Sequence, residues 1–166
     1  MNLDSFCEDI GEAKASDFGN RFEKGVYLLW LDSMKAKISD KTKDRLVIPE
    51  FHVIESSSPT LGVGSTVSEV FNLDGNAKKV HPGKVRQLIA AVCGEEDYEK
   101  VTGAHVKIAL GEEQKLHGRL VRAEAIEADK KDDEGKPYIR VRYSPATKEQ
   151  QAMARELHVK AGFPPI

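Results

Sequence analysis

Strict alternation of polar and apolar residues between positions 137 and 144 is the feature of this chain that most restricts its fold. The residues of one parity are an aromatic ring and two guanidinium groups, Tyr138, Arg140 and Arg142. The residues of the other parity are apolar or aromatic, Ile139, Val141 and Tyr143. Because successive side chains of a β-strand point to opposite faces of a sheet, the pattern predicts a strand with one face in a core and the other face outside it.

A second strand-like run, residues 119–128, precedes this one. The charged connection between the two runs contains the turn-forming residues Asp132, Asp133 and Gly135, so the pair predicts an antiparallel hairpin. Two interpretations of its polar face stay open. The arginines pair with acids across the hairpin, such as Glu124, or the ring and the guanidinium groups stack a nucleobase and contact phosphate.

The length of 166 residues predicts one ordinary domain with its own core. A hydrophobic content of 40% and a charged content of 31% are typical of soluble globular proteins, and no apolar run is long enough to cross a bilayer. The first residues lack a basic start followed by an apolar block, so we expect a cytoplasmic location. Cys7 and Cys93 are too few for a disulfide framework and are expected to be reduced thiols.

The net charge of −2 argues against a uniformly basic nucleic-acid-binding protein and leaves room for a local basic groove. Residues 1–23 contain six acids and two bases, whereas residues 76–93 contain four bases and no acid. The four bases are Lys78, Lys79, Lys84 and Arg86. They predict either a solvated helix face or part of a basic surface.

The order of predicted elements indicates a mainly β protein with helices, of the α+β class. Strands are predicted at residues 25–38, 45–56 and 65–73, helices at 82–92 and 102–110, then the hairpin, and a final helix at 147–160. Three antiparallel strands, a helix and a closing hairpin favour a five-stranded OB-fold barrel with an inserted helical segment and a C-terminal helix. A small α+β sandwich is the alternative.

This order divides the chain into three parts. Residues 1–22 are predicted to be an acidic, loosely attached segment with a short helix around residues 4–10. Residues 23–146 are the predicted OB-fold domain, and residues 147–166 are the predicted C-terminal helix and tail.

Arrangements typical of catalysis are missing from the sequence. The histidines show neither HxH nor HxxxH spacing, and both cysteines are far from them, so no metal site or cofactor is predicted. The pair Gly62 and Gly64 lacks the lysine and the following helix of a phosphate loop. Glu-X-Lys patterns at 113–115 and 134–136 resemble a nuclease motif, but both lie in predicted loops. We therefore predict that the protein is not an enzyme.

Aromatic and basic residues recur on neighbouring predicted strands, which favours nucleic-acid binding. Tyr27 shares its parity with Lys35 and Lys37, so it is expected to face outward if no bulge intervenes. Trp30 shares its parity with Val26 and is expected in the core, with stacking as the second interpretation. The candidate binding residues are Tyr27, Trp30, Lys35, Lys37, Lys43, Arg45, Tyr138, Arg140 and Arg142.

Three short motifs give the chain a family resemblance. They are Lys24-Gly-Val-Tyr27, Glu113-Gln-Lys-Leu-His-Gly118, and Gly135-Lys-Pro-Tyr138 with Tyr143-Ser-Pro145. On these residues the chain resembles the single-stranded DNA-binding proteins of tailed bacteriophages, which are OB-fold proteins. The resemblance implies sequence-independent binding and protection of single-stranded DNA during phage DNA replication and recombination, in the host cytoplasm and without a cofactor. Its implied partners are single-stranded DNA and phage replication or recombination proteins.

An alternative function stays open. Bacterial proteins of this class end in an acidic tail with an apolar tip, whereas here the apolar residues 162–166 follow a helix with His158 and Lys160. A non-catalytic phage accessory protein would instead bind another protein through the barrel or through a helical stripe of Met153, Leu157 and Phe163. The sequence leaves the oligomeric state open, with a homo-oligomer among the alternatives.

Overall fold

The protein is represented by a computed structural model that describes residues 20–155 and 165–166, without the side chains of residues 153–155. The predicted helix at residues 4–10 and the predicted stripe of Met153, Leu157 and Phe163 lie outside what is described. Asn20 and Phe22, in the segment predicted as loosely attached, both contact the sheet.

Six antiparallel strands form a single sheet, so the predicted mainly β protein with helices is confirmed. The order across the sheet is β3-β2-β1-β5-β6, and β4 pairs with a further part of β2. The first two predicted strands and the closing hairpin are confirmed. The strands are β1 (Gly25–Ile38), β2 (Arg45–Ser56), β3 (Thr66–Ser68), β4 (Phe71–Asn72), β5 (Leu120–Lys131) and β6 (Pro137–Pro145).

The predicted third strand is divided, which is why the sheet has six strands where five were predicted. Glu69 and Val70 separate β3 from β4, and the carboxylate of Glu69 turns to the hydroxyl of Tyr143. Among the described residues, β3 and β6 do not pair with each other. Backbone hydrogen bonds therefore do not close this sheet into a barrel.

Three α-helices are described, and each begins within one residue of its predicted start. They are α1 (His81–Val92), α2 (Gly103–Ala109) and α3 (Lys148–Arg155). Pro82 lies in the first turn of α1, where its missing N–H costs nothing. Thr102 caps α2, since its side chain accepts from the N–H of His105 while the His105 side chain accepts from the N–H of Thr102.

The main core lies between one face of the sheet and α1. The helix buries Val85, Leu88 and Ile89 on the side that meets the inward residues of the strands. Two of the inward residues on β5 are small, Ala123 and Ala125, which leaves room for the helix. We call this side of the sheet the inner face and the opposite side the outer face.

The pairing of β1 with β2 has two irregularities, the first with its extra residue on β2 and the second with its extra residue on β1, so only the second changes which residues of β1 point inward. The register shifts between Leu28 and Leu29, and again between Leu31 and Ser33. A bulge adds a residue to one strand and reverses the parity of those that follow. Met34 therefore packs in the main core.

Side chains join the two ends of the curved sheet where strand pairing does not. The hydroxyl of Tyr143, on β6, donates to Oε2 of Glu69 at 2.5 Å. The Tyr143 ring stacks on Phe51 of β2 with 5.8 Å between centroids, and Phe22 lies edge-on to it at 6.4 Å. We call this set of Phe22, Phe51, Glu69 and Tyr143 the seam.

The seam predicts a specific dependence of stability on pH. Burial raises the pKa of Glu69 above 4.5, although the hydrogen bond from Tyr143 and the charge of Lys84 oppose the rise. The Glu69 carboxyl therefore holds its proton more tightly in the folded protein than in the unfolded chain. The contribution of Glu69 to the free energy of unfolding therefore falls as the pH rises from 4.5 through the pKa of Glu69 in the folded protein.

We expect Glu69→Gln to remove this part of the pH dependence. Urea denaturation between about pH 4.5 and pH 8 should show the native protein losing stability relative to the variant as the pH rises. Glu124→Gln, on an exposed position of β5, serves as the control and should follow the native curve. Parallel curves for the native protein and Glu69→Gln would contradict the prediction.

Candidate nucleic-acid interface

The outer face collects most of the candidate residues. Side chains alternate between the two faces along each strand, so most of the outer residues follow a residue of the main core. The polar and aromatic side chains of this face are Trp30, Asp32, Lys35 and Lys37 on β1, Glu50 and His52 on β2, Arg122 and Glu124 on β5, and Tyr138, Arg140 and Arg142 on β6.

Arg140 and Arg142 are exposed on β6, as the alternation predicts. Arg142 lies directly opposite Glu124 and Arg140 lies opposite Ile126. The ion pairs formed by the described residues nevertheless include none of Glu124, Arg140 and Arg142. The structure therefore does not show these arginines neutralised by acids across the hairpin.

A third arginine, Arg122, joins the pair and was missed by the sequence analysis. It is exposed on β5, opposite Ser144 of β6 and opposite Leu28 of β1. It is the diagonal neighbour of Arg142, and such neighbours on one sheet face lie about 7–8 Å apart. The alternation of residues 121–126 was the signal that could have identified it. We call Arg122, Arg140 and Arg142 the arginine cluster.

Tyr138 lies beyond the cluster, on a part of the hairpin that stands free of the sheet. Pairing of β5 with β1 ends at Ala125 and Gly25, so the rest of β5 pairs only with β6. The Tyr138 side chain is 51% exposed, and the ammonium of Lys130 lies 5.9 Å from its ring centroid. An exposed ring beside a cation has the properties needed to stack a base next to a phosphate.

Trp30 lies on the outer face, so it is not part of the main core, but it packs against a second hydrophobic cluster together with Leu28, as its parity predicted. It is half-buried in a small second cluster that includes Leu28 and Leu120. Its ring centroid lies 5.2 Å from that of His52 and 4.7 Å from that of His117. Neither histidine was a predicted site residue, because 65 positions separate them and only the fold brings them together.

Tyr27 is in the core, so the prediction that it faces outward was wrong. Its side chain is 1% exposed, its hydroxyl donates to the carbonyl of Glu23 at 2.6 Å, and its ring lies 5.5 Å from that of Phe22. The cause is the bulge in β1 at Asp32, which reverses parity after Leu31. Lys35 and Lys37 consequently share a face with Trp30 rather than with Tyr27.

The lysines at the far end of β1 are less available than the arginine cluster. Lys35 forms an ion pair with Glu50, with Nζ 3.4 Å from Oε2. Lys37 is partly buried on the outer face. Lys43 is exposed in the turn before β2, where its φ of 62° is left-handed.

Arg45 was predicted to contact phosphate, but it is engaged by a carboxylate. Its Nη2 lies 2.6 Å from Oδ1 of Asp74, and its Nε contacts both oxygens of the same side chain. Hydrogen bonds from Arg45 lower the pKa of Asp74 to about 2. This ion pair joins the start of β2 to the turn after β4, so we assign Arg45 a structural role.

The candidates thus fall into separate groups. Twelve residue steps of β1 separate Lys37 from Gly25, which is about 40 Å at about 3.3 Å per residue. Arg142 lies four residues along β5 and two strands across from Trp30, which is about 16 Å. The structure brings Tyr138 together with the arginine cluster, places Trp30 within reach of it, and leaves the lysines at the other end.

The remaining sequence patterns have local explanations. Each Glu-X-Lys pattern forms its own ion pair, at 2.7 Å between Glu113 and Lys115 and at 3.9 Å between Glu134 and Lys136. Burial raises the pKa of the Cys93 thiol to about 11, which disfavours the reactive thiolate. Within residues 20–155 and 165–166, no three His, Cys, Asp or Glu residues are placed to hold a metal ion.

Residues 165 and 166 also contact the fold. Nε2 of His105, on α2, lies 3.1 Å from the carbonyl oxygen of Pro165, and Ile166 packs against the main core. None of the helices in the described part of the chain is long and apolar enough to span a membrane.

Comparison with known proteins adds no family to this description. No protein-family model matches the chain, and no curated protein matches it. Function is therefore inferred from the outer face itself.

Proposed function

We propose that this protein binds single-stranded DNA without sequence preference, across the outer face of its sheet. The observation that carries the proposal is the arginine cluster beside Tyr138. Three exposed guanidinium groups lie on two neighbouring strands, and the carboxylate of Glu124 is directly opposite one of them, Arg142. Guanidinium groups bind phosphate oxygens in pairs of hydrogen bonds, so the cluster suits a polyanion.

The exposed aromatic ring favours an unpaired strand as the ligand. Stacking on a protein ring requires a base face that is not covered by neighbouring bases, and each stacked base contributes about 1–3 kcal/mol. Tyr138 offers such a ring on the free hairpin, within two residues of Arg140. A duplex keeps its bases stacked internally and gains only the phosphate contacts.

We also propose that the sheet is an open form of the OB-fold. Two observations support it. The first strand lies at the centre of the sheet, between β2 and the closing hairpin, and Tyr143 of β6 reaches Glu69 directly after β3. In this fold oligonucleotides bind to the face of the second and third strands and to the loops that join strands one to two and four to five, and the latter loop corresponds to the tip of the closing hairpin.

The resemblance to bacteriophage single-stranded DNA-binding proteins gives the proposal its biological setting. There the protein would protect single strands during replication and recombination of phage DNA, together with phage replication or recombination proteins. Its task would be non-catalytic and cytoplasmic.

The salt dependence of binding to labelled oligo(dT) tests the proposal. Three phosphate contacts on a single strand give a slope of log K against log salt of about −2.1, so affinity should fall about 18-fold between 50 and 200 mM salt. Fluorescence anisotropy measures the affinity. Trp30 is the only tryptophan, so a change in its emission on binding reports on the outer face.

Duplex of the same length should compete poorly. Binding that is flat across this range of salt, or that is equally tight for duplex, would contradict the proposed function.

A further inference from the structure

A carboxylate lies on the outer face, although a surface that binds a polyanion would not be expected to carry one. Asp32 is the extra residue of the bulge in β1, opposite no residue of β2. Bulges of this kind redirect a side chain and are common beside binding sites. The Asp32 side chain is 41% exposed and lies on the same face as Trp30.

The Asp32 carboxylate has no hydrogen-bond donor among the described residues. Two imidazoles lie near it, with Oδ1 3.8 Å from Nε2 of His52 and 3.8 Å from Nδ1 of His117. The Nδ1–H of His117 is already committed, because it donates to the backbone carbonyl of Asp32 at 2.6 Å. The carboxylate oxygens are therefore available to donors from a ligand.

Rings surround this carboxylate. His52 is 40% exposed and lies against Trp30 at 5.2 Å with an angle of 41° between the rings. An unpaired base that stacks on the exposed imidazole would bring its edge beside Asp32. A free acceptor at the rim of a stacking surface is an arrangement suited to reading the edge of a base.

We propose that Asp32, His52 and Trp30 form a subsite for an unpaired guanine base, which deepens and rests on the proposed binding of single-stranded DNA. The two oxygens of a carboxylate accept two parallel hydrogen bonds. Guanine is the one neutral base whose Watson–Crick edge offers two adjacent donors, N1–H and the N2 amino group. Adenine and cytosine place an acceptor beside their amino group, and thymine has one donor between two carbonyl oxygens. Binding along the rest of the outer face would stay independent of sequence, and this one subsite would add a preference for a guanine placed there.

Oligo(dT) twelve nucleotides long, with one central substitution, tests the subsite. We expect one guanine to tighten binding about tenfold relative to one adenine, which is within the range of a bidentate contact to a base. Hypoxanthine lacks the N2 amino group, so an oligonucleotide with one central deoxyinosine should bind like the adenine-containing one.

Two variants separate the subsite from the surrounding surface. Asp32→Asn should lose the preference for guanine and keep the affinity for unsubstituted oligo(dT) within about twofold. Glu124→Gln changes an exposed carboxylate on the same face, beside the arginine cluster and away from the subsite, and should keep the full preference. Circular dichroism melts establish that both variants fold.

The outcomes are distinct. Equal affinity for guanine-, adenine- and hypoxanthine-containing strands, with normal binding to oligo(dT), overturns the subsite alone. A preference for guanine that persists in Asp32→Asn also overturns it. Absence of binding to every oligonucleotide at micromolar protein overturns the proposed function and the subsite together.

Discussion

Replacing Arg140 and Arg142 together with alanine will weaken binding to oligo(dT) about 30-fold. Both guanidinium groups are exposed on the outer face, and neither forms an ion pair within the described part of the chain. An exposed contact to phosphate contributes about 1 kcal/mol, so two contribute about 2 kcal/mol. The slope of log K against log salt should become shallower by about 1.4, because two fewer phosphates are neutralised.

The matched control removes the same charge from another surface. Lys78 and Lys79 are exposed and precede α1, the helix that covers the inner face. Their double alanine variant should bind oligo(dT) with nearly the native affinity and slope. The melting temperatures of both double variants should stay near the native value, since exposed side chains contribute little to folding.

Equal losses in the two double variants would contradict the outer face as the binding surface, because they would show a response to net charge alone. Arg140→Lys with Arg142→Lys adds a finer measurement. This variant keeps the charge and loses the paired geometry of the guanidinium donors, so its affinity should lie between the native and alanine values.

Replacing Phe51 with alanine will lower the free energy of unfolding by about 3–5 kcal/mol, which is the usual cost of deleting a buried aromatic ring. Phe51 has no exposed surface, stacks on Tyr143 and lies 6.2 Å from the ring of Phe22. The ring thus supports the seam from the side of β2. Urea denaturation measures the loss.

Tyr138→Ala is the counterpart on the outer face. It removes a ring that is 51% exposed, so stability should change little while affinity for oligo(dT) falls by about 1–3 kcal/mol. Phe51→Ala should in turn bind normally at temperatures where it remains folded. A large stability loss in Tyr138→Ala, or a small one in Phe51→Ala, would contradict the assignment of inner and outer faces.

Alternation in the sequence was sufficient to predict the closing hairpin and the direction of its side chains. Residues 138, 140 and 142 are exposed as predicted, because β6 continues without a bulge through this region. The same reasoning failed on β1. Nothing in the local sequence at Leu31, Asp32 and Ser33 marks the bulge, which arises from how β1 fits β2.

Long-range partners were the second limit of the sequence analysis. Arg45 and Asp74 are 29 positions apart, and only the pairing of β2 with β4 brings them together. The rings around Trp30 come from β2 and from the loop before β5. A strand pattern predicts which way a side chain points, but it contains no information on which distant side chain will neutralise or cover it.

The free part of the closing hairpin has a mechanical consequence. Where β1 ends its pairing at Ala125, the sheet changes from several strands to a ribbon of two, so its resistance to bending falls abruptly at that point. Arg142 lies on the stiff side of this junction, and Tyr138 lies on the compliant side. A nucleic-acid strand bound by both residues would bend the two-stranded ribbon toward the rigid part of the sheet.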